Sequence, residues 1–156
     1  MNEAFISAFI AALTNVMTTM AETELTLGEP QQKSTKVARG DVSGLIGMVG
    51  NDIKGSLSIT FDESLALEIM YRMIGEKPSK LNDEVADMVG EITNMVCGGA
   101  KKTLFDQGYD FGLASPVVVL GKNHIINHQV DGPKIILPFS SNFGGAYMEI
   151  CFKQLT

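Results

Sequence analysis

The sequence has 156 residues, of which 45% are hydrophobic and 19% charged, a composition typical of a globular protein rather than a disordered one. A net charge of −6 argues against nucleic acid as a partner, and two cysteines are too few for a disulfide framework. There is no run of about eighteen apolar residues and no signal-peptide pattern at the start, so no membrane partner is expected. We therefore expect a cytoplasmic protein with one domain, residues 1–156.

The first segment predicts an amphipathic helix, because apolar residues between Phe5 and Met20 recur at spacings of three and four. A polar stretch follows at residues 28–41, and its composition fits either a long hairpin or a mobile connection. Two strands are predicted next, at 44–49 and 56–61. In the second strand, apolar residues alternate with serine and threonine, which indicates one buried face.

Two more helices are predicted before the chain returns to strands. Asp62 can cap a helix that runs to about Ile74 and that Gly75 would end, and a longer helix is predicted at 82–105, closed by Gly108. Strand-like segments follow at 116–120, 125–130, 134–139 and 145–152. This order indicates an α+β fold with a mostly antiparallel sheet and helices gathered on one face.

A faint internal repeat is visible between residues 51–61 and residues 142–152. Each copy is a glycine-containing turn that leads into a strand, and each lies some distance after a long helix. The pattern favours a pseudo-duplicated unit that consists of a helix and its following strands.

The predicted helix at 82–105 carries a row of polar residues. On a helical wheel, Asp87, Glu91 and Asn94 lie within a sector of roughly 60°, and Gly98 and Lys101 continue the line. The opposite side holds an apolar stripe: Leu81, Val85, Met88, Val89, Ile92 and Val96. Exposed helix faces usually carry such polar residues without any function. However, asparagine is a poor helix former, and each glycine of the adjacent Gly-Gly pair costs about 1 kcal/mol relative to alanine.

The same helix carries a family resemblance. Its string Asp-Met-Val-Gly-Glu-Ile-Thr-Asn-Met-Val-Cys-Gly-Gly-Ala-Lys, residues 87–101, resembles the Asp/Ser-x-x-x-Glu-x-x-Asn signature of the CheC/CheX/FliY phosphatases of bacterial chemotaxis. Single-domain length with one signature is more similar to CheX than to CheC. The resemblance implies a CheC-like fold with two long helices on one face of the sheet. It also implies a phosphatase that hydrolyses the aspartyl phosphate of a CheY-type response regulator.

The resemblance also implies roles for individual residues. As catalytic residues, Asn94 would orient the attacking water and Glu91 would contact a lysine of the receiver domain. Asp87, Gly98 and Lys101 are expected to contact the partner, although Asp87 could equally support the helix or its solvation. No cofactor is expected in this chain, because the receiver would supply its own Mg²⁺. A homodimer is expected as well.

The first helix offers a possible counterpart to this row. Ala8, Ala12, Asn15 and Thr19 follow the same spacings, on the side opposite the apolar stripe. Ala12 would stand where an acid is required, so only Asn15 would remain of a second site. One site per chain is therefore expected.

Two features leave alternatives open. His124 and His128 lie four apart on a predicted strand and could begin a metal site, but ordinary hydrogen-bonded histidines are favoured because no acidic or thiol ligand is near them in sequence. A non-catalytic module that docks receivers, and a small-ligand-binding domain, are the rival functions. Intact Glu91 and Asn94 favour the phosphatase, because a docking module has no need of a carboxamide.

Overall fold

The computed structural model describes residues 3–155, in which three helices lie on one face of an eight-stranded antiparallel sheet. The helices are α1 (Glu3–Ala21), α2 (Glu63–Ile74) and α3 (Asp83–Phe105). The strands are β1 (Thr26–Leu27), β2 (Gln31–Gln32), β3 (Val42–Val49), β4 (Ile53–Phe61), β5 (Gly112–Leu113), β6 (Val117–Leu120), β7 (Lys134–Ser140) and β8 (Ala146–Gln154). The predicted α+β class is confirmed.

The four long strands lie in the order β7-β8-β4-β3, so two hairpins meet along the line between β8 and β4. At the centre of this line, Leu57 of β4 pairs with Ile150 of β8. In both hairpins the first strand lies on the outside and the second strand on the inside of this group of four. Each hairpin also follows one long helix, because α1 precedes β3–β4 and α3 precedes β7–β8. The predicted pseudo-duplicated unit is therefore present in the architecture.

The core lies between the sheet and the helices. Leu57, Ile59 and Phe61 point from β4 towards the helical layer and are fully buried, as their alternation predicts. The helix α1 packs chiefly against α3, and α3 lies over β3 and β6. Burial of one apolar stripe per helix thus fixes which face of α3 remains exposed.

The start of α2 differs from its prediction. Asp62 occupies the N-cap position, but its side chain makes no cap hydrogen bond and instead accepts from the backbone N–H of Gly145 at 2.7 Å. Asp41 performs the capping, because its Oδ2 accepts from the N–H of Glu63 at 2.8 Å. The capping residue is thus distant in sequence, which a local pattern cannot reveal. Gly75 ends the helix in the left-handed conformation, as predicted.

The prediction that β4 has only one buried face is wrong. Ser56, Ser58 and Thr60 point away from the helices and are nevertheless buried. Residues 28–41 and 121–133 pass over this second face of the sheet. The stretch 28–41 is tied down by β2, which pairs with β7, and by a bridge between Val37 and Ile125.

The predicted strand at 125–130 is also wrong. Ile126, His128 and Val130 are buried and alternate with exposed residues, so the period of two that suggested a strand is real. The segment nonetheless forms only the single bridge at Ile125. Its inward side chains cover the second face of the sheet, while β5 and β6 occupy the edge of β3.

A buried polar cluster joins this covering segment to the sheet. Glu149, on β8, accepts hydrogen bonds from Lys33 and, at 3.1 Å, from Nε2 of His128. Nδ1 of His128 lies 2.7 Å from the hydroxyl of Ser56. His128 is thus a hydrogen-bonded core histidine. Residues 3–155 contain no group of three or more His, Cys, Asp or Glu side chains arranged to hold a metal ion.

Candidate functional site

The exposed face of α3 carries the predicted row. Asp87, Glu91, Asn94 and Gly98 are exposed, and Lys101 is half-buried. Five of the six residues predicted for the apolar stripe are buried: Val85, Met88, Val89, Ile92 and Val96. The sixth, Leu81, precedes the helix and is half-buried. The helical period therefore predicts correctly which side of α3 meets the solvent.

The position of α3 is fixed at its start and at its middle. The side chain of Asn82 accepts a hydrogen bond from the N–H of Val85 at 3.0 Å, which caps the first turn. Further along, Thr93 sits directly over Gly44 of β3: a Cβ added at Gly44 would lie 2.0 Å from the Thr93 hydroxyl. Because Thr93 precedes Asn94, this close contact with β3 fixes how far the Asn94 carboxamide stands from the sheet and in which direction it points.

The chemical groups of the row remain free for another molecule. Among residues 3–155, no hydrogen bond or ion pair engages the side chains of Asp87, Glu91 or Asn94. Glu91 and Asn94 are three residues apart, which is about 4.5 Å along the helix axis. A carboxylate acceptor thus stands one turn from a carboxamide that can donate and accept at the same time.

The two neighbouring glycines have different surroundings. A Cβ added at Gly98 would meet nothing within 4 Å, so this position leaves a low, open surface beside Asn94. At Gly99 a Cβ would lie 3.6 Å from the Cβ of Ala12, because Gly99 is next to α1. Gly98 therefore leaves more room than Gly99 for an approaching partner.

The proposed counterpart on α1 is not an exposed row. Ala8 is buried and Ala12 is half-buried against the core, although both were placed opposite the apolar stripe. Asn15 and Thr19 are exposed, and the Thr19 hydroxyl donates to the backbone carbonyl of Asn15 at 2.8 Å. Packing of α1 against α3 covers the first half of the row, which a helical wheel of α1 alone cannot show.

The row on α3 extends one residue beyond the set chosen from the sequence. Phe105, the last residue of the helix, follows Lys101 by four positions on the same side and is 61% exposed. The sequence reasoning used Phe105 only to mark the end of the helix. The continued spacing of four, three and four from Asn94 was the signal that could have included it.

Comparison with known proteins shows the family to which the chain belongs. The sequence model of the family described as chemotaxis phosphatase CheX matches residues 42–140. The chain is similar to a CheC-like superfamily protein from Shewanella sp. PV-4, with 60% identity, a TM-score of 0.93 and coverage of 98% of this chain and 99% of that one. It is similar to CheX from Vibrio vulnificus, with 60% identity, a TM-score of 0.90 and coverage of 96% and 99%. The chain belongs to the CheX family.

A more distant similarity is to the CheX–CheY–BeF3–Mg²⁺ complex from Borrelia burgdorferi. The identity is 27%, the TM-score is 0.79, and the match covers 96% of this chain and 97% of that one. Comparison with the curated proteins gave no match.

One described helix, α1, is long and apolar enough by composition to cross a membrane, with a mean hydropathy of 1.6. One side of this helix packs in the core, where Phe5, Phe9 and Leu13 are fully buried.

Proposed function

We propose that this protein is a phosphatase that hydrolyses the aspartyl phosphate of a CheY-type response regulator. The observation that carries the proposal is the pair of unpartnered side chains, Glu91 and Asn94, one turn apart on a helix face that is otherwise free. Support comes from the family and from the similar Borrelia burgdorferi protein, whose structure contains CheY together with BeF3 and Mg²⁺.

The chemistry requires little of the enzyme beyond positioning. An acyl phosphate is already activated, so water needs to be held in line with the bond that breaks. The water oxygen bonds to phosphorus, the acyl P–O bond breaks, and the aspartate leaves as a carboxylate while both water protons end on the released phosphate. Asn94 would accept one hydrogen bond from this water and donate another to a neighbouring oxygen, which fixes the direction of attack.

The rest of the row would place the partner. Glu91 would pair with a lysine of the receiver and so hold α3 in register above the phosphorylated residue. Gly98 would let the backbone of the receiver come close, and Lys101 would contact an acidic or carbonyl group. Asp87 lies about 10 Å along the axis from Asn94 and would contact the opposite edge of the same surface.

The setting of the reaction follows from the same proposal. This chain would bind no cofactor of its own, and the Mg²⁺ that stabilises charge on the transferring phosphoryl group would be held by the receiver. We also infer a cytoplasmic location, where response regulators act, and a homodimer as the working form.

The experiment measures phosphate release from a phosphorylated CheY-type receiver with wild type and variants. Asn94→Ala is expected to lower the catalysed rate by about 100-fold, since it removes the only group proposed to orient the water. Glu91→Ala is expected to raise the half-saturating receiver concentration as well. Asn15→Ala is the matched control, because it removes an exposed carboxamide from the other long helix.

Two results would contradict the proposal. If Asn94→Ala hydrolyses as fast as wild type, the carboxamide does not orient the water. If wild type binds the receiver without changing its rate of phosphate loss, the protein is a docking module.

A further inference from the structure

Phe105 is an aromatic side chain that the fold leaves in solvent. It is the last residue of α3, and 61% of its surface is exposed, while most other phenylalanines among residues 3–155 pack in the core. Burying an aromatic ring of this size is a large source of binding free energy, and aromatic residues are enriched at protein interfaces.

Phe105 lines a shallow depression in the protein surface. Its volume is about 530 Å³, and it opens beside Gly98, the open position next to Asn94. The remaining lining comes from charged side chains: Lys101, Lys102, Asp106 and Asp110. An apolar ring beside a low glycine, rimmed by charge, is suited to an apolar side chain at the edge of a protein surface.

The position of Phe105 on α3 indicates that the receiver itself occupies this depression. Phe105 lies about 16 Å from Asn94 along a straight helix. It is therefore too far away to contact the phosphoryl group beside which Asn94 would orient the water. We take α3 to lie along the receiver surface, so that its turns after Asn94 cross the same receiver. From Asp87 to Phe105 the row spans about 27 Å, comparable to the width of an interface that buries about 800 Å² per partner.

The charged side chains at this end of the helix are of both signs. Lys101 and Lys102 are the densest basic pair in a chain whose net charge is −6, and both border the depression. Asp106 and Asp110 border it as well, so the rim can pair with charges of either sign on the receiver, as the polar rim of an interface does.

On the basis of the proposed function, we infer that Phe105 is a docking residue that binds the receiver. Its ring packs into an apolar patch on the receiver about 16 Å from the phosphorylated aspartate, with Gly98 and Lys101 completing the contact. It acts on the affinity for the receiver, and not on the attacking water.

The test measures binding to a CheY-type receiver loaded with beryllium fluoride and Mg²⁺, so that no hydrolysis is required. Phe105→Ala is expected to weaken binding about tenfold, and Phe105→Leu, which keeps an apolar side chain, to weaken it by less than threefold. Ile74→Ala is the matched control: Ile74 is the last residue of α2, is 53% exposed, and lies off the row. It should bind like wild type.

A second readout separates docking from catalysis. In phosphate release, Phe105→Ala should raise the half-saturating receiver concentration about tenfold, while the limiting rate stays within twofold of wild type. Equal binding of Phe105→Ala and wild type would overturn the inference, as would a lower limiting rate with unchanged affinity. If wild type binds but releases no phosphate, the phosphatase proposal fails while the docking role of Phe105 is still decided by the binding measurement.

Discussion

A carboxamide is useful to another molecule only while its hydrogen-bonding groups are free. Asn94 meets this condition among residues 3–155, because its side chain has no partner there. His128 and Glu149 are the opposite case, since each is buried and satisfied by the other. At the scale of single residues, Asn94 is thus available to another molecule, whereas His128 and Glu149 are engaged within the fold.

The two cysteines belong with the structural residues. Burial raises the pKa of the Cys97 thiol to about 12, and burial also raises the pKa of Cys151, although Lys134 opposes the rise. The thiol of Cys151 donates to the carbonyl of Val130 at 3.2 Å. Since the thiolate is the reactive form, both side chains are protected in the folded protein.

We expect iodoacetamide at pH 8 to leave both cysteines of the native protein unmodified. At that pH roughly one Cys97 thiol in ten thousand would be ionised, and the side chain is fully buried. Mass spectrometry after treatment in guanidinium should show two added groups, which is the control for reagent activity. Rapid labelling of the native chain at Cys97 would contradict the assignment of this thiol to the core.

At the scale of elements, the contact between α3 and β3 is the one on which the site depends. Gly44→Ala should destabilise the protein by about 2 kcal/mol, because its Cβ would meet the Thr93 hydroxyl at 2.0 Å. Urea unfolding measures this change. Gly47→Ala in the same strand is the control, since its Cβ would lie 4.0 Å from the nearest atom. Equal stability of the two variants would show that α3 can move outward without cost.

Much of the arrangement of elements could be predicted from local patterns. The exposed side of α3 follows from helical periodicity, and the long strands follow from alternation and turn residues. The strands β1, β2 and β5 were missed because each has two residues, too few to show a period. The failure at residues 125–130 has a different cause: alternation reports which side chains are buried, and it cannot report whether a neighbouring strand is free to pair.

The candidate site divides in the same way. Asp87, Glu91 and Asn94 could be grouped from spacing within one helix, where distance in sequence determines distance in space. The burial of Ala8 could not be predicted, because it depends on how α1 packs against the rest of the core. Burial of this kind is determined by contacts between segments that are distant in sequence, and the pattern within one helix does not show them.

At the scale of the whole molecule, the second face of the sheet is closed by residues 28–41 and 121–133, which have little regular structure. The ion pair between Lys33 and Glu149 holds one of these segments, and the two side chains are 4% and 1% exposed. Glu149 was part of a predicted strand, but nothing in its neighbourhood in sequence indicates a lysine so far away. Buried charges require partners, so this pair must form when the face closes.

Lys33→Met should lower the free energy of unfolding by about 3 kcal/mol, because it leaves Glu149 buried with His128 as its remaining partner. Thermal or urea unfolding measures the loss. Lys36→Met, an exposed position in the same stretch, should change stability by less than about 0.5 kcal/mol. Similar effects for the two variants would mean that the pair contributes no more than a surface charge does.

The meeting of the two hairpins along β8 and β4 has a consequence for how the protein is made. The strand β4 emerges from the ribosome long before β8, its partner in the finished sheet. During that interval the nascent chain presents an unpaired edge with Leu57, Ile59 and Phe61 uncovered, a surface prone to join with other chains. Pairing across such a sequence separation also slows folding, so we expect this edge of β4 to stay open until β8 has been synthesised.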